Sequence, residues 1–449
     1  MRTLKIFVFN TFILLLSSII LQIITTFFNI YISNTIGEEA VGLFSLVMSV
    51  YAFGITLASA GINIASTRIV AEELACKNEL GAKNAAKRCI LFSLIFGICA
   101  SLIFLILDDF ITQKCLHNKI HKNVIHLICI ALPFISMSSA INGYFTAVRR
   151  VYKNALAKFG EEIVKIAFAL FLLKSFFPDS ISKACYILIL ADAISEVTSF
   201  VHLYILYLRD KRGILLESRY KDLDSYNKRI LRITIPVAIT SYIRSGLNTI
   251  KQLLIPSSLQ RSGMNSSNSL ISYGIVNGMA MPIIMFPSVF INCFANLLVP
   301  EFSRYYVKKD SKRIKQMSTF ILVATLAFSI FICIVIFLFA EPICLALYKK
   351  SDIAQYVKIL SFLISCIYLD LVIDNILKGL DAQVSVVFIN IADCLITISF
   401  IYFIVPSLGF TGYILAIFVS EFFNVVLSLS RLLILIHKNN QSVTSTPNY

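Results

Sequence analysis

Residues 318–340 read STFILVATLAFSIFICIVIFLFA, twenty-three positions without one charged side chain. A helix of that length rises about 35 Å, enough to cross the roughly 30 Å hydrocarbon core of a bilayer. Working outward, comparable stretches occupy 6–33, 42–66, 89–107, 124–147, 156–177, 184–208, 230–257 and 270–299 before it. Three more follow at 353–377, 384–406 and 411–436. Lipid offers no partners to backbone N–H and C=O groups, and nothing alternates like a barrel strand, so these stretches must be helices. The expected fold is an all-α integral membrane protein of about twelve transmembrane helices in two six-helix lobes around a central cavity. The lobes are expected at 1–209 and 230–437, with a basic linker at 210–229 and a short tail at 438–449.

Composition points the same way. The 449-residue chain is 58% hydrophobic and 14% charged, where a soluble domain carries roughly 25% charged residues. A net charge of +15 would suggest nucleic acid in a soluble protein, but here the basic residues crowd into alternate loops. With the N-terminus inside, and residues near a span end counted with the adjoining loop, 28 Lys and Arg fall on the inner segments, eight on the outer ones and four deeper within spans. That bias predicts both termini and the 210–229 linker in the cytoplasm, on a face that favours anionic lipid headgroups and not nucleic acid. The first apolar segment is too long for a signal-peptide core and lacks a clear cleavage site, so it stays as the first span. Eleven cysteines are scattered without a C-x-x-C pair and read as small apolar fillers. His117, His121 and His126 could meet on a helix as metal ligands. The neighbouring Lys114, Lys119 and Lys122 would repel a cation, so no metal site is expected there.

The halves carry parallel landmarks. Basic loops begin near Arg68 and near Arg304, and Gly143 and Gly379 each lie at the end of a span; both pairs are 236 positions apart. With six spans on each side of the linker, this favours two parallel repeats related by an axis along the membrane normal.

Polar residues inside the spans locate a candidate site. In the seventh span Ser241, Arg244, Asn248 and Lys251 recur at spacings of three, four and three, one face of a helix. Arg244 lies about 18 Å along the axis from Arg232, near mid-bilayer, where a cation costs about 2.5–3.5 kcal/mol. Such a stripe points to a water-filled cavity or an anionic partner; the alternative is a buried ion pair. The first span bears an uncharged counterpart in Ser18, Gln22, Thr25 and Asn29. Intramembrane carboxylates at Asp192, Glu196, Asp370, Asp374 and Glu421, with Asp393, are candidates for ion coupling through H⁺ or Na⁺, or for neutralising Arg244, Lys251, Lys165 or Lys358. Gly274, Gly278, Pro282 and Pro287 predict a bent eighth span.

Several of these stretches carry a family likeness: Tyr273-Gly274-x-x-x-Gly278-Met279-Ala280-x-Pro282, Leu297-Leu298-x-Pro300-Glu301-x-Ser303, and Ile36-Gly37-x-Glu39-Ala40-x-Gly42-Leu43-Phe44. With Gly61–Ser66 and Arg244–Gln252, they make the chain resemble the polysaccharide-exporter branch of the multidrug/oligosaccharidyl-lipid/polysaccharide superfamily, and within it the stage V sporulation protein B group. The resemblance implies two six-helix lobes around a cavity, and movement of lipid-linked saccharides across the bacterial cytoplasmic membrane for peptidoglycan, spore cortex or polysaccharide assembly. It implies as partners the saccharide substrate, membrane lipids and cell-wall synthesis proteins, and no cofactor beyond a coupling H⁺ or Na⁺. Related flippases set cavity cations against a substrate diphosphate, a role the resemblance carries to Arg244 and then to Lys251. The chain departs from those flippases in having no charge within its first span. An ion-coupled multidrug exporter of the same fold is the competing transporter. A membrane enzyme acting on lipid-linked saccharides would need a loop or domain holding a general base or metal-binding carboxylates, and no long loop offers one.

Overall fold

The computed structural model describes residues 2–116, 119–121, 123–176, 180–211 and 223–444. His117, Lys122 and linker positions 212–222 lie outside the described residues. In chain order the helices are α1 (Arg2–Ile36), α2 (Glu38–Ser59), α3 (Ile62–Ala75) and α4 (Glu79–Ile106), then a π-helical stretch at Phe110–Cys115. They continue as α5 (Asn123–Ala147), α6 (Tyr152–Ser175), α7 (Ile181–Lys211), α8 (Leu223–Arg261) and α9 (Ser266–Tyr273). A second π-helical stretch, Gly274–Ala280, leads to α10 (Met281–Met285), α11 (Ser288–Val307) and α12 (Ser311–Tyr348). The last are α13 (Ile353–Ser361), α14 (Ile364–Gly379), α15 (Gln383–Phe403) and α16 (Val405–Thr444), and no strand occurs among the described residues.

Among the described residues eight stretches are long and apolar enough to span a membrane, and two bent pairs bring the number to ten. The pairs are Ser266–Met285 with Ser288–Val307, bent by 59°, and Ile353–Ser361 with Ile364–Gly379, bent by 49°. The other two expected spans, 156–177 and 230–257, fall on α6 and α8, which are long enough but too polar to qualify on composition. Their charges and hydroxyls belong to the candidate site. This is a multi-pass helical membrane protein.

Two compact units divide the chain, one of Met1–Leu21 with Leu43–Thr249 and one of Gln22–Gly42 with Ile250–Tyr449. The division runs through α1 and α8 instead of falling at the 210–229 linker, because the second half of α1 and the start of α2 pack with the C-terminal helices.

Within the first unit, polar hydroxyls and small residues hold the helices together, as expected where lipid removes any apolar drive to associate. Ser136 on α5 donates to the carbonyls of Ala58 at 2.6 Å and Ser93 at 2.7 Å. Ser101 on α4 donates to Cys129 O at 2.7 Å, and Ser66 on α3 to Ala140 O at 2.8 Å. A Cβ added at Gly97 would lie 2.6 Å from Pro133 Cα, so α4 and α5 touch backbone to backbone there. In the second unit, large apolar side chains such as Phe294, Phe320, Phe331 and Phe388 are exposed, as lipid-facing positions should be.

The two units repeat their local geometry. A Cβ on Gly143 would strike Asn63 O and Ser66 Cβ, and one on Gly379 would strike Val299 O and Phe302 Cβ. All three correspondences are 236 positions apart, the interval of the sequence landmarks. The turns beyond them repeat at 232 instead. Lys77 and Lys309 take positive φ after α3 and α11, and Arg149 and Asp381 do so after α5 and α14. Each pair is closed by the same two hydrogen bonds, as in Arg149 N→Thr146 O with Arg150 N→Phe145 O, and Asp381 N→Lys378 O with Ala382 N→Leu377 O. The helix caps follow the same interval: Asn78 accepts from Gly81 N, and Asp310 from Arg313 N. The four-residue difference is one helical turn, so α3 and α5 run one turn further past their contact than α11 and α14 do.

Candidate functional site

The rotation of α8 is fixed by one face. Tyr242 Oη donates to Leu57 O at 2.9 Å, Thr249 Oγ1 donates to Ser49 O at 3.0 Å, and Gly246 lies against the Phe53 ring. Those three positions clamp α8 onto α2. Helical periodicity then turns Ser241, Arg244 and Asn248 away from α2. Arg244 and Asn248 are exposed and Ser241 is half-buried. Among the described residues Arg244 has neither an ion pair nor a hydrogen-bond partner. On α1, Gln22 is exposed, and Thr25 and Asn29 are half-buried.

Lys251, the last cation of the stripe, belongs to the second unit. It lines a small cavity of about 90 Å³ with Glu421, Asn277, Tyr413, Thr397 and Ser420. Asn277 donates to Tyr413 Oη. Lys251 thus shares its surroundings with a carboxylate, which Arg244 does not.

The carboxylates separate into two groups. In the first unit Lys165 Nζ lies 3.2 Å from Asp192 Oδ1 and 4.0 Å from Glu162. Lys158 pairs with Glu161, which also accepts from Ser199 Oγ at 2.9 Å. Glu196 and the buried Tyr51 border this network. Asp192, one candidate for ion coupling, is therefore charge-paired. In the second unit Asp370, Asp374, Asp393 and Glu421 gather where α14, α15 and α16 meet. Asn424 Nδ2 donates to Asp370 Oδ2 at 2.9 Å and Ser428 Oγ to Oδ1 at 3.0 Å. Asp393 accepts from Ser420 Oγ at 2.7 Å and Thr397 Oγ1 at 3.4 Å. The Asn424 side-chain oxygen is buried without a hydrogen-bond partner. A carboxylate with adjacent hydroxyl and amide oxygens is a hard donor set of the type that suits alkali or alkaline-earth cations.

The bend near Pro287 is compound. Gly274 and Gly278 belong to the π-helical stretch, Pro282 follows at the second position of α10, and Pro287 precedes α11. Gly274 cannot carry a side chain: its Cβ would lie 2.3 Å from Glu38 O. An apolar groove of about 260 Å³ runs beside the bend, lined by Phe27, Ile30, Pro282, Ile283, Phe286 and Ile336 among others.

Sequence reasoning read 156–177 as a plain span and missed Lys158, Glu161 and Glu162. The signal was present, since 158, 162 and 165 recur at spacings of four and three. It also missed Asn424 and Ser428, whose sequence distance from Asp370 carries no local signature. Of the three histidines, His126 faces Asp108 at 3.4 Å.

Residues 7–306 match the family described as "Polysaccharide biosynthesis protein". The chain belongs to that family. Residues 236–403 also match the family described as "MatE". Among relatives of this polysaccharide biosynthesis protein family, "Stage V sporulation protein B" of Bacillus subtilis (strain 168) is 21% identical over 418 residues, 92% of this chain and 80% of that protein. "Sporulation protein YkvU" of the same organism is 25% identical over 340 residues, 74% and 73% of the two chains. An inward-facing multidrug resistance MATE family transporter of the MOP superfamily superposes with a TM-score of 0.74 at 16% identity, covering 95% of this chain and 96% of its own. A MOP superfamily transporter from Pyrococcus furiosus, described as having a binding pocket of reverse polarity, gives 0.66 at 16% identity, covering 95% and 96%. The family member described here therefore has the two-lobed fold of MATE transporters.

Proposed function

We propose that this protein is an alternating-access flippase that moves a lipid-linked saccharide of the undecaprenyl-diphosphate type across the bacterial cytoplasmic membrane, with both termini in the cytoplasm. The single observation that carries this reading is Arg244, a cation midway along α8, exposed and without a counter-charge among the described residues. A guanidinium stays charged at cellular pH and offers a planar fork of donors that fits phosphate oxygens. Family membership and the names of the sporulation relatives support a role in polysaccharide, peptidoglycan or spore cortex assembly. Ser241, Asn248, Gln22, Thr25 and Asn29 would offer hydrogen bonds to sugar hydroxyls, and the apolar groove beside Pro282 would take part of the prenyl chain. In this reading the α14–α16 carboxylates hold a coupling H⁺ or Na⁺, and the π-helical stretch with Pro287 is a bend that rocking lobes would use. Cell-wall synthesis proteins are proposed as neighbours that receive the exported precursor.

The alternative, an ion-coupled multidrug exporter, rests on the same carboxylate cluster, which would suit a cationic drug. The unpaired Arg244 disfavours it, because a cation repels such a substrate. The test is access of a labelled lipid-linked precursor to the outer leaflet in cells lacking and regaining the gene. Restored access supports the flippase. Unchanged access with restored drug tolerance supports the exporter.

A further inference from the structure

At one end of the first unit, where α3, α5 and α7 stop and α4 and α6 begin, lies a cavity of about 810 Å³. Its lining includes Arg149, Arg150, Arg209, Asp210, Glu79 and Tyr144. Asp210 is the hub of its charges and is almost fully buried. Arg150 pairs with it, Lys153 Nζ reaches it at 2.6 Å, and Tyr144 Oη donates to it at 3.2 Å. One carboxylate thus serves two cations and a hydroxyl, while Arg209 makes no ion pair among the described residues. Positive charge is in excess, and it faces an open space.

The repeat in the fold provides an internal control. The turn after α14 has the same left-handed residue and the same closing hydrogen bonds as the turn after α5. It places Asp381, Ala382 and Ser385 where this one has Arg149, Arg150 and Lys153. The turn therefore forms without any of the three cations, and the backbone does not account for them. Of the three guanidinium groups around the cavity, Arg150 is paired with Asp210 and Arg209 is outside any ion pair among the described residues, and the donor fork of a guanidinium suits phosphate oxygens. The volume lies within the range of small-ligand sites and exceeds what a bare phosphate needs.

From this geometry we infer that the cavity is a binding site for a phosphate-bearing anionic group, separate from Arg244 and independent of what the protein transports. That chemistry is shared by an anionic lipid headgroup and by a free phosphate compound. The positive-inside reading puts this end of the unit at the cytoplasmic surface, where both are found.

The test uses the full chain in neutral detergent, with unfolding followed by a thiol-reactive dye. All eleven cysteines are free and several are buried, so melting exposes them. Titrations with dioctanoyl phosphatidic acid and with inorganic pyrophosphate distinguish the two sources. Saturable stabilisation by phosphatidic acid alone assigns the site to lipid, and stabilisation by both assigns it to phosphate groups generally; either supports the site. Arg209→Gln and Arg149→Gly, which keeps a residue suited to positive φ, should each weaken binding roughly fivefold, the effect of about one cation near a membrane surface. Asp210→Asn should strengthen it, because it releases Arg150 and Lys153, and that opposite sign cannot come from misfolding. Arg304→Ala, which removes an exposed cation of the second unit, should leave it unchanged. The inference is overturned if neither ligand binds saturably, or if Arg304→Ala weakens binding as much as Arg209→Gln.

Discussion

A guanidinium near the middle of a membrane-spanning helix costs about 2.5–3.5 kcal/mol to insert, and in the proposed spanning placement of α8 no carboxylate among the described residues offsets Arg244. Lys251 differs in having Glu421 in its own small cavity. Arg244→Ala is therefore expected to abolish transport. Arg244→Lys should retain part of it, since charge survives and the bidentate fork does not. Lys251→Ala should be milder than Arg244→Ala, as an initial-rate comparison at matched membrane levels will show; equal losses would remove the distinction drawn between the two cations. The glycines give a prediction of another kind. The close approaches at Gly143 and Gly379 leave no room for a methyl group. Alanine at either position should destabilise its unit by about 1–3 kcal/mol through overpacking. Thermal unfolding in detergent measures this, and an unchanged midpoint would mean the helices separate at little cost.

At the scale of elements, α6 and α8 separate what could be read from the sequence from what could not. Their helical character and length were legible from stretches long enough to cross a bilayer, and the stripe on α8 was legible because its four polar residues share one face. Which face that is depends on Tyr242, Gly246 and Thr249 meeting α2, a long-range fact that no local pattern encodes. The same limit applies to charge pairing: Lys165 with Asp192 joins two helices and could be named only as one option among several. The 236-position landmarks were legible, but the extra turn on α3 and α5 emerged only from the hydrogen bonds that end them. The pairing on α6 is itself testable. Lys165→Met should leave Asp192 and Glu162 poorly compensated and cost about 1–3 kcal/mol. Adding Asp192→Asn should recover much of that loss, because a neutral amide replaces the stranded charge. If the double variant is less stable than the single, the ion pair is not what holds α6 to α7.

For the whole molecule, the proposed topology of six spans in each half puts both ends of the chain on the same side, and the concentration of basic residues in alternate loops assigns that side to the cytoplasm. On a background without accessible native cysteines, a cysteine at Ser266 should react with an impermeant thiol reagent applied outside, and one at Lys221 should not. Labelling at Lys221 from outside would reverse the topology and with it the direction of transport. In the proposed reading, drug export and lipid flipping on this fold differ in the sign of the charge that meets the substrate. The most direct measurement reconstitutes the wild type and Arg244→Ala at equal density in vesicles and follows a labelled undecaprenyl-diphosphate saccharide from one leaflet to the other. Rapid exchange by the wild type and none above the protein-free background by Arg244→Ala is the expected result. Exchange by correctly inserted Arg244→Ala at the wild-type rate would contradict the phosphate-anchor role and leave the cation a structural feature of α8.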